Sequence, residues 1–166
     1  MRNILRLVFV AVLIAVAFWA WSFFFPNPQK IIRHRLVKLA QLASFGPNEG
    51  NITRIANVEK MGAYFAENAE VVVDMPGVET HTFNGRAELM QAAMAARSTV
   101  SGFNAELFDI NIDMGPGNES AMVDLTLKAR VGGERDAIIE ELKITFKNIK
   151  GDWLISRATT VQPLKR

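Results

Sequence analysis

The chain has 166 residues, no cysteine, and a formal net charge of +2 from 19 basic and 17 acidic residues. That length holds one ordinary domain and an appendage, and the lack of cysteine excludes disulfides and thiolate metal sites. The charge is uneven: residues 1–38 carry six basic residues and no acidic one, while residues 39–166 carry thirteen basic and seventeen acidic ones, a net of −4. An acidic main portion excludes a basic groove for nucleic acid, so no nucleic-acid partner is expected.

Leu7 to Phe25, "LVFVAVLIAVAFWAWSFFF", is nineteen residues without a charge. As a helix it spans roughly 28 Å, close to the ~30 Å hydrocarbon core of a bilayer. Trp19 and Trp21 lie near its end, where amphipathic rings prefer the interface. Pro26 and Pro28 are expected to stop it. Residues 1–29 therefore read as a transmembrane anchor and short linker, and residues 30–166 as the folded domain. The alternative is a cleaved signal peptide, since "AVA" at 15–17 has the form of a cleavage site, although cutting there leaves a greasy stub. The short basic head, Arg2 and Arg6, resembles a signal anchor and puts the domain on the extracytoplasmic (periplasmic) side of a single-pass membrane protein. Lys30, Arg33, Arg35 and Lys38 pull the other way. That basic segment meets lipid phosphate most simply, at about 1 kcal/mol per residue near an anionic surface.

Lys30 to Phe45 places Ile32, Leu36, Leu39 and Ala43 on one helical face, and Gly46-Pro47 ends it. Asn51 caps a second expected helix over 52–66, with Ile52, Ile55, Val58, Gly62 and Phe65 along one side. Val71 to Met75 is a β-branched run and reads as a strand. "MPGVE" is a turn, Thr80 to Phe83 extends again, and "NG" leads into a third helix, "RAELMQAAMAARS". From Phe103 the period changes to two. Strands over 103–114, 120–131, 137–149 and 153–162 are separated by "GPGN", "GGERD" and "KGD" turns. The order is ααββαββββ, an α+β domain with three helices on one face of a curved antiparallel sheet.

This order, with "D-x-P-G" at 74–77, "F-N-G-R" at 83–86 and "G-D-W-x-I" at 151–155, resembles the nuclear-transport-factor-2-like superfamily, in its SnoaL-like and ketosteroid-isomerase-like branches. The resemblance covers about residues 30–162. It implies a cone: a bent sheet wraps a helix and leaves a pocket at its open end. The superfamily includes isomerases, dehydratases, cyclases and hydrolases, and also binding and assembly domains without chemistry, so fold alone does not assign function. Two of the tokens have structural explanations. Asn84-Gly85 supplies positive-φ positions for a sharp turn, with Arg86 on the solvent side of the helix. Trp153 reads as a core residue.

Asp74 falls where the resemblance places the general base of a ketosteroid isomerase, which abstracts a proton next to a carbonyl. In that enzyme the base works with a tyrosine and a protonated aspartate. Here helix 30–45 has no tyrosine, the only tyrosine is Tyr64, and Glu140 and Glu141 stand near the expected acid. Asp before "x-P-G" also caps turns. His81 could pair with Asp74 or Glu79 to activate water, or could be a surface residue. Glu140 shares the phase of Leu142, Ile144 and Phe146 and should face the covered side, where Arg157 is the expected partner. That pair, with Tyr64 and Trp153, forms the candidate ligand-binding set; Asp74 and His81 are the candidate catalytic ones. His34 and His81 are too far apart for a metal site, and neither a metal nor a cofactor is expected. Two functions follow. One is a membrane-anchored domain that binds a small apolar ligand, or assembles as a homodimer through its sheet face. The other is a small-molecule enzyme with Asp74 as base.

Overall fold

The computed structural model describes residues 12–14, 16, 27–74, 79–132, 134 and 136–161. The expected span over 7–25 lies outside them except at 12–14 and 16, which are helical and exposed. Among the described residues no helix is long and apolar enough to cross a membrane. The "MPGVE" turn likewise falls mostly outside the described residues.

Helix α1 runs Pro28–Ala43. Asn27 caps it, accepting the Gln29 N–H at 2.9 Å, and Pro28 occupies the first turn, where a missing N–H costs nothing. Pro28 thus begins this helix, while the end of the run over 7–25 lies outside the described residues. Ile32 and Leu36 are buried in the core. Helix α2 spans Asn51–Gly62 and stops earlier than expected. The Tyr64 N–H closes a turn on Met61 O, and Tyr64 O accepts the Ile155 N–H at 2.8 Å. Phe65 therefore opens strand β1 (Phe65–Val73) rather than closing a helix. Sheet pairing here outweighs the helical spacing of 52–65, and Ile52 and Ile55 of that supposed core face are exposed.

Strand β2 (His81–Asn84) pairs antiparallel with β1. Gly85 then turns the chain at φ 84°, its N–H bonded to Ala69 O at 2.7 Å. Only Gly85, not Asn84, needs the left-handed region. Helix α3 (Arg86–Thr99) follows. Arg86 does not face solvent: its Nε and Nη2 both donate to Phe65 O, at 3.0 and 2.6 Å, and tie α3 to the start of β1.

Strands β3 (Phe103–Met114), β4 (Ser120–Val131), β5 (Ile138–Ile149) and β6 (Asp152–Val161) form successive hairpins. The sheet order is β2-β1-β6-β5-β4-β3. The sheet is mixed rather than wholly antiparallel, because β6 lies parallel to β1. Three hairpins bring the chain back from the far edge, and β6 arrives beside β1 running the same way. At that far edge α1 covers the open side of β3. Arg33 Nη2 donates to Ile110 O at 2.8 Å, Gln29 Nε2 to Ile112 O at 3.3 Å, and Phe45 and Phe103 exchange backbone bonds at 2.8 and 2.9 Å. Edge groups that would otherwise invite pairing are thereby satisfied.

Phe83, Val71, Ala158, Ile144, Val123 and Ile112 form one row across all six strands. Val123, Ile144 and Ile112 are buried in the core with Phe146, Ile155 and Trp153, so this row marks the face the helices cover. Burying such side chains is worth about 1.5–3 kcal/mol each. Two irregularities keep it apolar. Asp109, at φ 51°, adds a residue to β3, and Ser156 adds one to β6 between Ile155 and Arg157. Each bulge moves the following side chains to the other face.

Candidate functional site

One end of the helix-covered face is closed and the other is open. At the closed end Trp153, Ile155 and Phe146 are all but fully buried. At the open end Val73, Leu107, Leu127, Leu142 and Thr160 are only half-buried. The register carries this surface outward from the core: Leu142 pairs with Thr160, Leu127 with Glu140, and Leu107 with Leu127.

Polar groups rim the open end. Asp74 follows the last residue of β1 and is fastened to β6: its N–H donates to Thr160 Oγ1 at 2.7 Å, and Thr160 Oγ1 donates back to Asp74 O at 2.9 Å. Its Oδ1 accepts the Thr80 hydroxyl at 3.0 Å. The carboxylate is thus held by a side-chain hydroxyl across the β1–β2 connection. His81 pairs in register with Val73 on the same face, but it is exposed and packs on Phe83, ring centroids 4.8 Å apart, rather than on Asp74. Glu140, half-buried, points to the same face as expected. Three strand spacings, about 14 Å along the sheet, separate the His81 and Glu140 strands.

The other candidates lie elsewhere. Tyr64 precedes β1, at the opposite end of that strand from Asp74; Tyr64 O bonds Ile155 and the Asp74 N–H bonds Thr160, five positions further along β6, which separates them by roughly 17 Å. Its ring carries the Arg35 guanidinium at 5.0 Å. Trp153 is a closed-end core residue, 3% exposed. Arg157 is not the partner of Glu140. The Ser156 bulge turns it to the outer face, where its Nη2 lies 3.4 Å from Glu70 Oε1 with both side chains well exposed. The phase argument failed because it assumed an unbroken alternation along β6.

The sequence reading missed the most buried charge. Arg97 on α3 is 4% exposed. Its Nη1 lies 2.5 Å from Glu49 Oε1, its Nη2 donates to Leu42 O, and its guanidinium sits 4.7 Å over the Phe45 ring. Asn57 of α2 also donates to Glu49, at 2.9 Å. Burial raises the Glu49 carboxyl; hydrogen bonds from Arg97 and Asn57, with the charges of Arg97 and Arg54, outweigh it and hold the group below its usual value. One ion pair thus links all three helices. The available signal was spacing: Arg97 falls three and seven residues after Met94 and Met90, on the inward stripe of α3.

Among the described residues no cluster of His, Asp and Glu could hold a metal ion. One surface depression, of about 830 Å³, lies beside Pro116, Ser120 and Lys147, and two more lie along α1 or at its C-terminal end. One, of about 570 Å³, lies beside Phe45, Phe103 and Arg130. The other, of about 500 Å³, lies between α1 and α2.

No protein-family model matches the sequence, and no curated protein matches it. Solved structures do match. A domain of unknown function with a cystatin-like fold from Nostoc punctiforme PCC 73102 superposes with a TM-score of 0.64 at 15% identity, over 85% of this chain and 80% of that one. A nuclear-transport-factor-2-like protein of unknown function from Pseudomonas putida KT2440 gives 0.62 at 12% identity, over 82% and 87%. A candidate scytalone dehydratase from Novosphingobium aromaticivorans DSM 12444 gives 0.62 at 18% identity, over 81% and 84%. The chain has the α+β nuclear-transport-factor-2-like, cystatin-like fold, and at these identities the likeness extends to the fold alone.

Proposed function

We propose that this is a membrane-anchored domain that binds a small apolar ligand at the open end of its cone. The carrying observation is the half-buried surface of Val73, Leu107, Leu127 and Leu142 on the helix-covered face, rimmed by Asp74, Thr160, Glu140 and His81. Apolar walls with a few converging polar groups are the usual make-up of a small-molecule site. The uncharged run from Leu7 to Phe25 supports the anchor. Leu127→Arg puts a charge across the mouth. The full chain is expected to carry a small apolar molecule in native mass spectrometry, and Leu127→Arg to lose it while keeping its circular dichroism. Identical spectra from both would refute the reading.

The second reading is an enzyme with Asp74 as general base. It is favoured by the register that brings Asp74 and His81 to one rim, and by a dehydratase name among the structural neighbours. Asp74→Asn should then abolish turnover and leave ligand retention intact. Assembly as a homodimer would use the outer sheet face, where Phe108 and Met122 are each 45% exposed; sedimentation velocity of the full chain reads it directly.

A further inference from the structure

The solvent side of α1 is a single stripe. Lys30, Arg33, His34, Val37, Lys38 and Gln41 recur at helical spacing and are all exposed, opposite buried Ile32 and Leu36. The helix contains no acidic residue. The stripe runs into the groove between α1 and α2, which is lined by Lys38, Gln41, Asn57, Lys60 and Tyr64. Two ammonium groups, the Gln41 amide and a phenol line it, all donors to the oxygens of a phosphate, while the Asn57 amide is engaged by Glu49. Arg35, stacked on Tyr64, adds a further positive charge beside it. Among the described residues, the ion pairs involve neither Lys38 nor Lys60. Asp113, on the neighbouring edge strand, pairs with Met122 on the outer face of the sheet, away from the stripe.

The position of the stripe says what covers it. The uncharged run ends at Phe25, and α1 begins at Pro28. A helix standing along the bilayer normal would hold Lys38 about 12 Å above Lys30, farther than the Debye length of about 8 Å at physiological salt. Lying flat, it brings the whole stripe and the groove to the headgroup layer. We propose that this stripe and the α1–α2 groove form a docking surface for anionic phospholipid headgroups, which holds the domain flat against the bilayer. The proposal rests on the anchor reading above.

The chain has no cysteine, so Val37→Cys carries a single environment-sensitive fluorophore on the stripe, and Gln91→Cys, exposed on α3, serves as control. The labelled full chain is reconstituted into phosphatidylcholine vesicles with and without phosphatidylglycerol. The expected result is a blue shift at Val37→Cys, absent from the control, that requires phosphatidylglycerol and is reversed by high salt. Lys38→Gln and Lys60→Gln should each lower the docked-to-undocked ratio by about fivefold. Insertion into both kinds of vesicle with no shift in either overturns the docking surface and leaves the anchor standing. Salt-sensitive binding to anionic vesicles without insertion into neutral ones keeps the surface and removes the anchor. An equal shift in both lipids, or binding to neither, overturns the proposal.

Discussion

Arg97→Met removes the positive half of the buried ion pair and keeps most of the side-chain volume. Glu49, 8% exposed on its side chain, is left with the Asn57 amide as its hydrogen-bond partner, and Leu42 O loses its donor. Breaking a buried pair by removing one partner costs about 3–5 kcal/mol. For a domain of this size that lowers Tm by roughly 10–20 °C. The pH dependence carries a sharper signature. In the native chain the Glu49 carboxyl is depressed, so its contribution is present above the unfolded value of about 4.3 and lost as pH falls through the folded one. Without Arg97, only the Asn57 hydrogen bond and the Arg54 charge oppose burial, so the carboxyl rises relative to the native chain. The gain in stability as pH rises from about 4 to 7 should then be smaller in the variant than in the native chain. Arg97→Met/Glu49→Leu removes both charges and should recover most of the loss. Urea midpoints of all three proteins across pH 4–7 measure this. A single variant within about 1 kcal/mol of the native chain, or a double variant worse than the single, would refute a clamp made by this pair.

Arg86→Ala removes two hydrogen bonds to Phe65 O and should cost about 1.5–3 kcal/mol, read as a urea midpoint shift without change in the slope. Had Arg86 been a surface residue, the change would fall within about 0.5 kcal/mol. Thr160→Val breaks both bonds that fasten Asp74 to β6. It should cost about 1–3 kcal/mol and raise hydrogen exchange at the Asp74 amide more than at Ile144; equal protection at both would remove Thr160 as the fastening residue.

Much of the fold was legible as period and punctuation. The alternation in 120–131 and 138–149 appears as β4 and β5 with Val123, Leu125, Ile144 and Phe146 inward, because a pleated strand must send alternate side chains to opposite faces. The turn at Gly85 was legible because few residues other than glycine adopt its φ of 84° readily. The rim was partly legible too: Asp74 ends its strand, and Glu140 keeps the phase of its neighbours. Its partners were not.

Local pattern cannot record where a distant strand intrudes. The end of α2 at Gly62 depends on β6 offering Ile155 to Tyr64, and the parallel β1–β6 pair depends on three intervening hairpins. The place of Arg157 depends on a single inserted residue, Ser156, that reverses its phase. Burial of Arg97 depends on a loop carboxylate 48 positions away in the chain. The amino-acid order alone determined that α1, α3, β4 and β5 form and which side of β4 and β5 is apolar, since those follow from backbone geometry and the aversion of apolar groups to water. Which charges meet, and which residues share the open end of the helix-covered face, only the tertiary structure decided, because those contacts join chain positions that no local period links.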